Sequence, residues 1–240
     1  MLRKGAGWST LFPIWLSFWR LMEHCGFCAI CGGEGGVDPL FCRVNVEESA
    51  GRAEVRSVHV FLTGPRGVGK STALDRTVEL LGVRPGGFRT GFAPDRTRLC
   101  LWPAWERPDW SEARTVARLA DGRLTGDPAA FDRLGPAILR ESLSWARLLV
   151  LDELGWLEAG APAFQGAVRA FLAGPVPVLG VVKPPHERRG TWLEGLVDTP
   201  GGTLVEVDLD NRSNLPAFLA ARLRAALGPG EITGELGNEP

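Results

Sequence analysis

The chain predicts a three-layer α/β domain built on a mostly parallel sheet, and three observations carry that expectation. Short apolar runs alternate with helical patterns from Val58 onward. A glycine-rich stretch, Gly64 to Ser71, stands between the first such run and the first helical pattern. Another apolar run, Leu148-Leu149-Val150-Leu151, ends in the acid pair Asp152-Glu153.

Taken in order, Val58 to Leu62 reads as the first buried strand, being short, apolar and bounded by the glycine-rich stretch. Lys70 to Leu81 follows as a helix, with Leu74, Val78 and Leu81 on one face and Gly82 as the C-terminal stop. Phe88 to Phe92 and Arg98 to Trp102 flank Pro94-Asp95-Arg96-Thr97, the composition of a hairpin turn, and Asp121-Gly122 marks a second turn. Asp127-Pro128 supplies an N-cap and a first-turn proline for a helix toward Leu134, which Gly135-Pro136 is expected to interrupt or kink. Leu148 to Leu151, Val176 to Val182 and Leu204 to Val207 read as further strands. Helices are placed by Phe164, Val168, Phe171 and Leu172, and by Leu215, Phe218, Leu219 and Leu223. The domain is therefore expected over residues 57–227, with an N-terminal extension over 1–56 and a flexible tail over 228–240.

The chain has 240 residues, 45% of them hydrophobic, enough for one sizeable core. A formal net charge of -1 lacks the basic footprint of a nucleic-acid binder. Among its 27 basic residues only Lys4, Lys70 and Lys183 are lysines. The apolar run Leu11 to Trp19 contains Pro13 and is cut by Arg20, Glu23 and His24. It falls short of the ~20 residues that a membrane-spanning helix needs. A cytoplasmic protein with no membrane partner is expected.

Gly64, Gly67 and Gly69 permit backbone conformations that side chains would block, so that loop amides can face phosphate oxygens at a helix N-terminus. The whole loop, Gly64, Pro65, Arg66, Gly67, Val68, Gly69, Lys70, Ser71 and Thr72, is the expected nucleotide-binding P-loop. Lys70 would reach the β and γ phosphates and Ser71 would ligate Mg²⁺, whereas Arg66 is expected to face solvent. Asp152, at the strand's carboxyl end, would hold Mg²⁺ directly or through water, and Glu153 would polarise the attacking water. One of only three lysines fills the P-loop slot, where arginine's planar fork does not substitute.

Four segments give the chain a family resemblance over about Val58 to Leu227. They are Gly64 to Thr72, Gly86-Gly87-Phe88-Arg89-Thr90, Leu151-Asp152-Glu153-Leu154-Gly155 followed by Glu158, and Asn211-Arg212 ahead of the last helix. The chain resembles the small nucleoside-triphosphatases first described from thermophiles and represented in humans by cancer-related nucleoside-triphosphatase. The resemblance implies a RecA-like P-loop core that hydrolyses ATP, GTP and other triphosphates with Mg²⁺, slowly and with loose base preference. It also implies that Arg212 lies near the nucleotide. One departure is visible: Gly91-Phe92-Ala93 stand where the family carries an acid after its Gly-Phe-x-Thr segment.

Transferring a phosphoryl group calls for further positive charge on the γ-phosphate. Arg188 and Arg189, just past the carboxyl end of a core strand, are the candidates; a solvated loop in an arginine-rich protein is the competing reading. Lys183 ends the same strand as a candidate γ-phosphate sensor, and His59 reads as a core histidine. Cys25, Cys28, Cys31 and Cys42 have the spacing of a zinc or iron-sulfur ligand set. The alternative is that they precede the true start of translation or follow a start at Met22, which would retain all four. Competing functions are a nucleotide or nucleoside kinase and a nucleotide-responsive regulator. An acid directly after the magnesium aspartate favours hydrolysis, and no Asn-Lys-x-Asp or Thr-Lys-x-Asp stretch is present to read guanine.

Overall fold

The computed structural model describes residues 58–228. The expected extension, with Cys25, Cys28, Cys31 and Cys42, and the expected tail beyond Gly228 lie outside the described residues.

Strands β1 (His59–Thr63), β2 (Gly86–Phe92), β3 (Arg98–Pro103), β4 (Thr115–Ala120), β5 (Arg123–Gly126), β6 (Leu149–Leu154), β7 (Val178–Val182) and β8 (Gly202–Glu206) form one sheet. Its order is β5-β4-β3-β2-β6-β7-β1-β8. The five strands from β2 to β8 in that order pair in parallel. Strands β2 to β5 form an antiparallel wing on one side. The helices are α1 (Lys70–Leu81), α2 (Pro128–Ser142), α3 (Pro162–Leu172), the single turn α4 (Pro185–Arg188) and α5 (Leu215–Leu227).

Alternation along β1 explains the layering. Phe61 faces one core with Phe131 and Leu139 of α2 and Phe164 and Val168 of α3. Val60 and Leu62 face the other with Leu74 of α1 and Leu219 and Leu223 of α5. Two helical layers thus enclose the sheet. Among the described residues no helix is long and apolar enough to cross a membrane.

Several boundaries differ from expectation for identifiable reasons. Helix α2 runs through Gly135-Pro136 to Ser142 instead of stopping. Its start is capped as expected, with Asp127 accepting from the Ala130 amide at 3.1 Å. Gly135 earns its place by proximity: a Cβ there would stand 2.2 Å from Cδ2 of Phe164, so its absence lets α2 and α3 meet. That packing outweighs the hydrogen bond lost at Pro136. Strand β7 begins at Val178, two residues later than expected, because Pro177 has no amide hydrogen for the ladder. In α5 the buried face is Leu215, Leu219, Ala220 and Leu223, while Phe218 is 59% exposed on its flank. Asp121 and Gly122 both take positive φ and join β4 to β5, as their composition predicted.

Candidate functional site

The three central strands of the parallel half deliver the site's chemistry at their carboxyl ends. Strand β1 leads into the glycine-rich loop, β6 carries Asp152 and Glu153, and Lys183 follows β7.

In the loop, Gly64 has φ +132°, and a Cβ there would stand 2.5 Å from the Val207 carbonyl oxygen. Only glycine fits. Val68 is buried in the core and pins the loop, whereas Pro65, Arg66 and Gly67 are exposed. The Lys70 ammonium curls back over the loop and donates to the carbonyls of Gly64 and Pro65, at 2.9 Å each. Burial lowers its pKa; Glu153 opposes that shift and Lys183 adds to it, so all three groups act on one small volume.

Strand β6 does not end before the acid pair but runs through it to Leu154, with its register against β7 broken between Leu151 and Leu154. Asp152 lies opposite Arg89 of β2. Arg89 Nη1 is 3.5 Å from Asp152 and 2.6 Å from Asp75 of α1. The Ser71 hydroxyl donates to Asp152 Oδ1 at 3.4 Å, so one hydroxyl and one carboxylate converge at the start of α1. Asp152 is 5% exposed, and burial pushes its carboxyl up to about 6 against the pull of Arg89.

Glu153 is held twice. Its amide donates to the Thr90 hydroxyl at 3.1 Å, and its carboxylate lies 2.9 Å from Lys183 Nζ. The turn beyond is clamped at Gly155, whose amide donates to Glu158 Oε2 at 3.1 Å and whose carbonyl accepts from Trp192 Nε1 at 2.8 Å. Glu158 is 3% exposed, and burial pushes its carboxyl up to about 7.

These groups open on a cleft of about 1560 Å³ that runs from Gly64 and Lys70 past Glu153 and Lys183 to the antiparallel wing. Its far wall includes Phe92, Leu99, Leu119, Leu124 and Trp156.

A glycine-rich loop between a strand and a helix, beside a buried aspartate followed by an acid, agrees with what comparison finds: a family model described as NTPase matches residues 59–219. The chain belongs to this NTPase family. As a member it is a nucleoside-triphosphatase. Nucleoside-triphosphatase THEP1 of Thermofilum pendens is 29% identical over 177 residues, covering 68% of this NTPase and 93% of the relative. Cancer-related nucleoside-triphosphatase of Homo sapiens is 30% identical over 183 residues, covering 65% and 92%. The crystal structure of THEP1 from the hyperthermophile Aquifex aeolicus matches with a TM-score of 0.59 at 22% identity, over 70% of this NTPase and 99% of that chain. The solution structure of a human cancer-related nucleoside triphosphatase gives 0.56 at 24%, over 70% and 98%. Both likenesses are of fold.

Within the NTPase, Lys70, Ser71, Asp152 and Glu153 come together as their motifs suggested. Thr72 is exposed beside Ser71 at the start of α1. Arg212 joins them: its Cδ lies 3.8 Å from where a Cβ on Gly69 would stand. A tight turn holds it there, with Asp208 Oδ1 accepting from the Asn211 amide at 2.7 Å and Asn211 Nδ2 donating to the Glu206 carbonyl at 2.8 Å. The expected arginines lie differently. From their loop the cleft is lined by Pro184, Pro185, His186 and Glu187; Arg188 is 8% exposed with its Nε unpartnered, and Arg189 is exposed. Sequence reasoning missed Arg89 as the partner of Asp152, Thr90 as a support for Glu153 and Trp192 as the clamp on Gly155. The first two sit in the Gly86 to Thr90 segment that marked the family resemblance; nothing in the sequence singles out Trp192.

Proposed function

We propose that this NTPase, built on a RecA-like core, hydrolyses ATP, GTP and related triphosphates with Mg²⁺ and loose base preference. The observation that carries the reading is that Lys70 and Glu153 line one cleft while their chain neighbours Ser71 and Asp152 meet, with Ser71 Oγ 3.4 Å from Asp152 Oδ1.

The donor set fits a hard divalent cation. Asp152 offers a buried carboxylate oxygen and Ser71 adds a neutral one 3.4 Å away. When bound, Mg²⁺ would neutralise phosphate charge. Lys70 would exchange the Gly64 and Pro65 carbonyls for phosphate oxygens. Glu153 would take a proton from water as its oxygen bonds to the γ-phosphorus; the bond to the β–γ bridging oxygen breaks, the diphosphate leaves with the electron pair, and the proton passes to the released phosphate. Arg212, beside the loop, is assigned to the bound nucleotide. A working site in the cytoplasm follows from the substrate, since that is where ATP is abundant.

A second reading, phosphoryl transfer to an acceptor, is favoured by one feature. The cleft, about 1560 Å³, exceeds the roughly 300–1,000 Å³ typical of a small-molecule site, and its lining extends beyond Glu153 to Leu119 and Leu124 of the wing. Phosphate release from a panel of triphosphates, with and without nucleoside and nucleotide acceptors, separates the two. Acceptor-independent, EDTA-sensitive release that Lys70→Ala and Glu153→Gln abolish is expected, with Glu153→Gln still binding nucleotide. Release that survives Lys70→Ala, or appears only as transfer to an acceptor, overturns the hydrolytic reading.

A further inference from the structure

Lys183 is anchored at its root and ion-paired at its tip. Its amide donates to the Leu154 carbonyl at 3.2 Å, next to the acid pair. Its stem runs over Gly155, with Cε 3.4 Å from where a Cβ would stand, an ordinary contact distance. The ammonium reaches Glu153 Oε1 at 2.9 Å, and the two side chains are 31% and 34% exposed, facing the cleft. Lys70 approaches the same space from the loop.

This ion pair opposes the proposed chemistry as it stands. A carboxylate oxygen already held by an ammonium at 2.9 Å is not free to accept from a water. A terminal phosphate arriving between Lys70 and Glu153 carries more negative charge than one carboxylate and competes for the ammonium. A diphosphate ends one group short of it.

We infer that Lys183 contacts the γ-phosphate and, in doing so, exchanges its ion pair with Glu153 for one with the nucleotide, so that Glu153 is released to act on water only when a triphosphate fills the loop. This rests on the hydrolytic role proposed for Glu153. Lys183 thereby sets the preference for triphosphate over diphosphate.

The test measures binding without turnover, using adenylyl imidodiphosphate and ADP, each with Mg²⁺, against wild type, Lys183→Met, Lys183→Arg, Glu153→Gln and the Lys183→Met/Glu153→Gln double variant. Loss of a charge-assisted contact should weaken the triphosphate analogue roughly 10- to 100-fold in Lys183→Met and leave ADP within about twofold, with Lys183→Arg retaining most of the preference. Coupling between the two positions should appear for the triphosphate analogue and vanish for ADP. Equal weakening of both ligands, or unchanged binding of both, overturns the inference and leaves an ion pair of structural use only. Failure here is distinct from failure of the hydrolytic reading, which would show instead as phosphate release persisting in Glu153→Gln.

Discussion

Replacing Glu158 with glutamine should stabilise the nucleotide-free protein at pH 8 and change little at pH 5. In the fold Glu158 is buried against the Gly155 amide, with the Glu153 carboxylate and the Lys183 ammonium as its charged neighbours. Burial raises its carboxyl from the ordinary 4.5 to about 7, so between those values the folded state holds a proton that the unfolded chain has released. Stability therefore falls as pH rises through this window, and the loss is complete above about 7. At about 1.4 kcal/mol for each tenfold in proton affinity, the span comes to about 3 kcal/mol. Glutamine carries no charge to bury and can still accept from Gly155, but its extra amide hydrogens cost about 1 kcal/mol. The net gain is about 2 kcal/mol at pH 8, a rise in Tm of roughly 4–8 °C for a domain of this size. Thermal and urea unfolding of both proteins at pH 5 and pH 8 gives the comparison. A difference that is the same at both pH values, or a glutamine variant less stable at pH 8, would refute the argument from burial.

Other outcomes follow from the same structure. Gly64→Ala would need φ +132° and would press Cβ within 2.5 Å of the Val207 carbonyl oxygen. It should cost at least about 2 kcal/mol and abolish nucleotide binding, as read by unfolding and by titration with ADP. Phe164→Ala empties the point where rings of Phe88, Phe131 and Trp192 meet and should destabilise the protein by about 3–5 kcal/mol in urea. His59 is fully buried, and burial lowers its pKa below the ordinary 6.5, so the unfolded chain binds its proton first. That part of the stability is lost as pH falls below about 6.5, and His59→Leu should remove it from a melting series between pH 5 and 8.

What could be read from the sequence shares one property: the physics is local. The loop from Gly64 to Ser71 declares itself because glycines at close approaches and a lysine opening a helix are constraints within a few residues. The same holds for the turns at Asp95-Arg96 and Asp121-Gly122, and for the apolar run before Asp152. What escaped depends on which strand lies beside which. Arg89 meets Asp152 only because β2 pairs in parallel with β6 in that register. Whether Arg188 turns inward while His186 and Glu187 line the cleft is settled by the packing around α4, and an arginine beside another arginine carries no sign of it. Gly135-Pro136 misled because two residues that weaken an isolated helix are tolerated where Phe164 needs the space. Phe218 misled because a face drawn from apolar spacing does not tell a buried row from its flank.

The two halves of the sheet differ in how far apart in the chain their partners lie. The wing is stitched from neighbours in sequence, hairpin after hairpin, from Gly86 to Gly126. The parallel half joins His59 to Val178 and to Gly202, and Gly86 to Leu149, so the glycine-rich loop, the acid pair and Lys183 come into register only after long stretches of chain have closed. The slow step of folding is therefore expected to be the assembly of the candidate site, with the wing available early as a template on which β6 is laid.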